Sequence, residues 1–350
     1  MSRLTAALAL LSVGLATPLL VPDPETETVN VVLQVNKVTS EAAINVWNLA
    51  KSQVLAHSCS LSLASGPFEN TPLAFTVNEY GAGNLNVGPQ TYTIHDDLEI
   101  SGGIICGRIA SPSEIIVSCD VPVPASLQLK SLNKLDHQDC FLRGPVELDR
   151  LVRGLESTPT NDTAWPRNMS SPPKAGTSDV TADAAFNKRQ APCGIWSSRT
   201  IRVGNGNQHQ NPLNIQISDP MDYGPGSCTV GHSQARSFAI DWSASATAWQ
   251  WLNGGFAVER SVETGKSYEC HGNPHDYLAL WKKVGQTAYT VQNAMYNVCT
   301  GLHPRGSPFV MWSPNAKHRG SHFYCVYSRQ YVRWMGYRWI DTTPVPGGPR

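Results

Sequence analysis

Between Ser157 and Phe186 the chain has nothing with which to build a core. The stretch is rich in Ser, Thr, Pro, Asn, Asp and Ala and shows no apolar periodicity, so it reads as a solvated linker. Whatever folds must fold on either side of it, and the two sides differ in kind. Thr17 to Arg189 holds 12 basic and 19 acidic residues, net −7. Gln190 to Arg350 holds 14 basic and 8 acidic residues, net +6, together with 8 of the 10 Trp and 9 of the 11 Tyr. The 350 residues carry a net charge of zero, which excludes a DNA-binding charge excess for the whole and leaves the second half mildly basic.

The N-terminus predicts export. Arg3 precedes an uncharged run, Leu4 to Ala16, too short to span a bilayer. Gly14-Leu15-Ala16 has the small-x-small form that signal peptidase accepts, so residues 1–16 read as a signal peptide cleaved after Ala16. The linker agrees, carrying the glycosylation acceptors Asn161-Asp162-Thr163 and Asn168-Met169-Ser170. It ends in Lys188-Arg189, a dibasic pair on an extended segment at the charge boundary, which predicts kexin-type cleavage. The expected organisation is a signal peptide (1–16), an acidic α+β pro-region (17–156), a glycosylated linker (157–189) and a basic, Trp/Tyr-rich β domain (190–350).

In an oxidising pathway the nine cysteines are disulfide material, and neither metal nor cofactor is expected. Cys59, Cys106, Cys119 and Cys140 precede the linker and admit three pairings. Cys193, Cys228, Cys270, Cys299 and Cys325 follow it. Their odd number leaves either a free thiol or one bridge back to the first half.

Strands are expected over Thr28–Val38, Leu73–Val77, Tyr92–Ile94, Gly103–Ile109 and Glu114–Val121. Ser40 stands where a helix cap would, before a helical pattern running through Trp47 to Val54, and Pro145–Glu156 reads as a short helix with Val146, Leu148, Leu151, Val152 and Leu155 as its apolar set. The second half reads as many short strands. Alternation at Leu213, Ile215 and Ile217, at Phe238, Ile240 and Trp242, and at Phe323, Cys325 and Tyr327, continuing to Tyr331 and Arg333, favours an antiparallel sandwich or small barrel.

Few residues read as chemistry. His271, His275 and Asp276 are close enough to serve as an acid/base pair, but Gly272 and Pro274 argue for a polar loop. Ser243, His232 and Asp241 could be assembled into a triad with no motif context, and no GxSxG, HExxH or P-loop occurs. Trp242, Trp249, Trp251 and Trp281 fit a core better than a sugar platform. The C-terminal run, with Arg329, Tyr331, Arg333, Trp334, Arg338 and Trp339, has the composition of a protein interface. Nucleic acid is disfavoured by the mild charge.

Phe256-Ala257-Val258-Glu259, Thr264 to Cys270 and Thr287 to Asn293 resemble small secreted proteins of filamentous ascomycete fungi, a group that includes candidate effectors of plant pathogens. The resemblance covers Cys193 to Tyr331 and implies no catalytic residue. Members often carry a further Cys in the strand that here reads Asp276 to Trp281, whose absence would account for the odd count. The expectation is a secreted virulence effector that binds a host plant protein, such as an immune regulator, to suppress defence. The alternative is a secreted hydrolase or glycan-binding module acting on wall polymer. Entry into host cells, and onward to the host nucleus, stays open, with Lys282-Lys283 and Lys317-His318-Arg319 poor import signals.

Overall fold

The computed structural model describes residues 26–132, 139–142, 148–157, 193–231, 233–241, 258–259 and 261–343. The expected features at Ala16, Asn161, Asn168, Lys188, Arg189, His232, Trp242, Ser243, Trp249 and Trp251 lie outside them, as do the side chains of Cys228 and Asp241.

The first half contributes β1 (Thr26–Asn36), β2 (Ala42–Asn48), β3 (Val54–Ser58), β4 (Ser62–Leu63), β5 (Leu73–Val77), β6 (Gly83–Val87), β7 (Gln90–Thr93), α1 (Leu98–Ser101), β8 (Ile105–Ala110), β9 (Glu114–Pro124) and α2 (Leu148–Ser157). The helix expected after Ser40 is instead the β2–β3 hairpin. Ser40 has φ +59° and sits in the turn leading into β2, while Asn36 Oδ1 accepts from the amides of Val38 and Thr39. Ala42 to Val46 are all buried, Asn45 included, because β2 is covered on both faces, so it lacks the apolar/polar alternation of a half-buried strand and a helix period also fits. Ile44 and Val46 join a core shared with the β4–β7 sheet, and Ala43 faces a second core beneath α2.

The second half contributes β10 (Trp196–Arg202), β11 (His209–Gln210), β12 (Leu213–Gln216), β13 (Met221–Asp222), β14 (Cys228–Val230), β15 (Ala239–Asp241), β16 (Ser261–Glu263), β17 (Cys270–Gly272), β18 (Tyr277–Val284), β19 (Gln286–Asn297), β20 (Gly301–Pro314), β21 (His322–Tyr327) and β22 (Arg338–Ile340). All ladders are antiparallel, and the fold is mainly β.

The two sides of the linker share one sheet. Its order is β22-β12-β18-β21-β8-β9-β1-β2-β3, with β13 also paired to β18, and β21 meets β8 through Cys325↔Ala110, Val326↔Ile109 and Tyr327↔Arg108. A sandwich or barrel confined to residues 190–350 is therefore not what forms. The core follows the sheet. Leu148, Leu151, Val152 and Leu155 of α2 pack with Ile109 and Ile116 of the first half and with Trp281, Tyr324, Tyr331 and Tyr337 of the second. Each such aliphatic side chain contributes roughly 1.5–3 kcal/mol when fully buried.

Two glycines allow the close approach. A Cβ on Gly107 would collide with Gln330 and Tyr331, and one on Gly154 with the Trp339 indole. Four disulfides staple the fold: Cys59–Cys140 and Cys106–Cys119 in the first half, Cys193–Cys299 and Cys270–Cys325 in the second. None of these four joins the halves.

Candidate functional site

Beside the β8–β21 seam lies a buried polar cluster. Arg108, 4% exposed, donates from Nη2 to Asp276 Oδ2 at 2.5 Å, and its guanidinium stacks 4.1 Å above the Tyr327 ring. Asp276 also accepts from the Asn273 amide, and Tyr327 donates to the His271 carbonyl. Burial pushes the Tyr327 hydroxyl far above its ordinary range, so it stays a donor. His95 Nδ1 accepts from the Asp97 amide, and Nε2 stands 3.8 Å from Asp276 Oδ1. A carboxylate held this way by Arg108 is a tie between the halves, not an exposed acid or base.

The sequence candidates around it separate accordingly. Asp276 is buried, whereas His271 and His275 are exposed; His271 Nδ1 bonds Thr229 Oγ1, and His275 occupies a turn at φ +66°. The structure does not bring these three together as a reacting set.

The C-terminal run is divided in the same way. The chain turns after β21, with the amides of Tyr331 and Val332 donating to the Ser328 carbonyl, so the alternation expected through Tyr331 and Arg333 is not a strand. Tyr331 is fully buried and donates to Glu156 Oε1. Arg333, 4% exposed, donates from Nη2 to the Leu155 carbonyl near the C-terminus of α2 and from Nη1 to the carbonyls of Gln330 and Val332. Both residues face the first half of their own chain and are closed to a partner. Arg329 is half-exposed and bonds Asp96 and Asp222. Trp334 is partly exposed, its ring edge-on to Tyr337 at 4.9 Å; Arg338 is half-buried on β22. Trp339 lies over Gly154.

A group of exposed apolar side chains lies elsewhere. β19 and β20 form a long hairpin flanked by β10, and its far end carries Trp196 (43% exposed), Tyr296, Val298 and Leu302 (50%), with Ile195 beside them. Pairing puts Tyr296, Leu302 and Arg199 on one face, where Arg199 lies 5.5 Å from the Tyr296 ring. Trp196, His303 and Arg305 occupy the other, with Trp196 edge-on to His303 at 5.1 Å. The tip is closed by Cys193–Cys299, which ties the segment before β10 to the β19–β20 turn, and Asn297 Nδ2 donates to the carbonyls of Cys193 and Ile195 while its Oδ1 accepts from the Cys299 amide. From Tyr277 to Ile340, and from Cys193 to Ser218, the sequence contains no carboxylate side chain.

A cleft of about 400 Å³ opens between α2 and the second half of the large sheet. Its walls include Arg150 and Leu151 of α2, Asn214, Lys283, Gln286, Asn315, His322, Tyr324, Trp339 and Asp341. Its polar groups are tied to one another. Tyr324 donates to Asn214 Oδ1, Thr287 donates to Asn315 Oδ1, and Asn315 Nδ2 donates to Gln210 Oε1. Gln286 Oε1 is buried with no hydrogen-bond partner among the described residues.

His57, Cys59 and Cys140 also lie within metal-binding distance of one another, but the two sulfurs are joined in a disulfide and His57 Nδ1 is bonded to Asn45 Oδ1. Thiolates, not disulfide sulfurs, ligate zinc. Among the described residues no helix is long and apolar enough to cross a membrane.

Compared with known proteins, the chain matches no family model, no curated protein and no solved structure.

Proposed function

We propose that the chain is a secreted fungal effector that acts by binding a host protein, and that it does so with the β10–β19–β20 hairpin rather than with its C-terminal run. The observation that carries this reading is the hairpin tip: aromatic and aliphatic side chains exposed on both faces, interleaved with Arg199 and Arg305, in a stretch without a single carboxylate. Interfaces draw their energy from such aromatic and Arg anchors, and the Cys193–Cys299 bridge limits the entropy lost on docking. Charge complementarity makes the matching surface an apolar depression rimmed by Asp and Glu. The buried position of Arg108 and Asp276, and the separation of His271 and His275 from them, favour binding over catalysis at the residues first considered for chemistry.

The test is genetic. Deleting the gene is expected to reduce disease, wild-type sequence to restore it, and Trp196→Ser/Leu302→Ser to fail to restore it while being secreted at normal level. Full virulence of the deletion strain overturns the effector reading. Restoration by the double variant overturns the assignment to the hairpin.

A further inference from the structure

We infer that the cleft beneath α2 is a second binding site, separate from the hairpin, and that it takes an acidic sugar: a uronate or a short oligosaccharide containing one. The argument begins with charge. Arg150 and Lys283 line the cleft against one carboxylate, Asp341, so its walls carry +1 with His322 neutral. Asp341 is itself committed, since Oδ1 accepts from the Thr343 amide and Oδ2 lies 3.7 Å from Arg150 Nη1. A carboxylate-bearing ligand suits this balance.

The remaining groups supply what a sugar ring needs. Trp339, half-buried on β22, offers aromatic surface for its C–H face, and Leu151 and Pro212 add apolar wall. Asn214 Oδ1 is occupied by the Tyr324 hydroxyl, which orients the amide and leaves its two Nδ2 hydrogens for a hydroxyl or carboxylate oxygen. Gln286 Oε1 provides the opposite need. A buried acceptor without a donor costs about 1–3 kcal/mol, and one lining a cleft is relieved by a hydroxyl that enters it. Donors, one acceptor, aromatic surface and a modest positive charge together match hydroxyls, a ring face and a carboxylate. A phosphate is the poorer match: the Leu148 amide, at the start of α2 where a phosphate would be held, already donates to Glu114 Oε2.

The volume, about 400 Å³, falls in the range of small-molecule sites and admits one or two sugar units. The site also depends on both halves of the chain, because Arg150, Leu148 and Leu151 come from α2 and the rest from the second half.

The experiment is calorimetric titration of the full secreted chain with digalacturonate, its dimethyl ester as the uncharged isostere, and AMP. Saturable binding of digalacturonate is expected, weaker by about tenfold or more for the ester, and likewise weaker for Lys283→Gln. Lys283→Arg, which keeps the charge, is expected to retain binding, and so is Trp196→Ser at the hairpin. No saturable binding of digalacturonate, equal binding of acid and ester, tighter binding of AMP, or undiminished binding by a folded Lys283→Gln protein would each overturn the assignment.

Discussion

At the scale of the residue, the decisive contacts are those that cross from one half of the chain to the other. Arg108 and Asp276 are both nearly inaccessible, and neither can lose its partner without leaving a charge stranded. Their polarity runs against the net charges of the halves: the acidic half supplies the cation and the basic half the anion, as again in Arg150–Asp341. Arg329–Asp96 runs the other way. Bulk complementarity of −7 and +6 is thus not what positions the seam. Asp276→Ala is expected to cost about 3–5 kcal/mol of unfolding free energy, because it strands the Arg108 guanidinium. Asp276→Leu/Arg108→Met, which replaces the pair by apolar groups, is expected to cost much less. Urea unfolding of the wild type, Asp276→Ala, the double variant and its two singles, Asp276→Leu and Arg108→Met, checks this. A double variant as unstable as the sum of its singles would show that the pair is not coupled.

Elements were legible in the sequence where one period dominated. Leu73–Val77 and the start of β9 at Glu114 stand where the pattern put them, and the apolar set of α2 is the one its spacing gave, from Leu148 onward. The failures have physical causes. β2 is buried on both faces, so it lost the alternation that marks a half-buried strand. β20 was hidden by Pro304, Gly306 and Pro308, which strands tolerate at an exposed edge. Arg333 and Tyr331 looked like interface residues because buried anchors within a chain have the same composition as anchors between chains. The hairpin tip had a sequence signal in the carboxylate-free run from Tyr277 to Ile340; the cleft had none, since its walls are gathered from α2, β12, β18, β19, β21 and β22. The hairpin also carries a prediction of its own. Cys193–Cys299 closes a span of 106 residues at a tip whose ladder is exposed, so Cys193→Ser/Cys299→Ser should loosen that end first. Hydrogen exchange is expected to rise at 194–199 and 294–304 while β1 and β9 stay protected. Equal protection at the tip with and without the bridge would contradict this.

For the whole molecule, the shared sheet changes what cleavage after Arg189 can do. A pro-region departs after cleavage only where its contacts with the mature domain are weak enough to break. Here β8 pairs with β21, α2 covers Trp281, Tyr331 and Tyr337, and Arg333 binds the end of α2, so the second half alone would expose a sheet edge and half of a core. No disulfide among the four described crosses the linker, yet the non-covalent seam is a core rather than a domain contact. If the dibasic site is used, the product is expected to be a two-chain particle, not a released C-terminal domain. Cleaved protein should elute from a sizing column as one species with both chains in equal amount, and separate only in denaturant. Residues Gln190–Arg350 expressed alone should lack a cooperative thermal transition and regain one when co-expressed with residues 17–189. A cooperative, monomeric Gln190–Arg350 fragment would refute this, and would return the first half to the role of a dispensable pro-region. The two proposed sites would then part company: the hairpin, built wholly from the second half, could still bind, whereas the cleft, robbed of Arg150 and Leu151, could not.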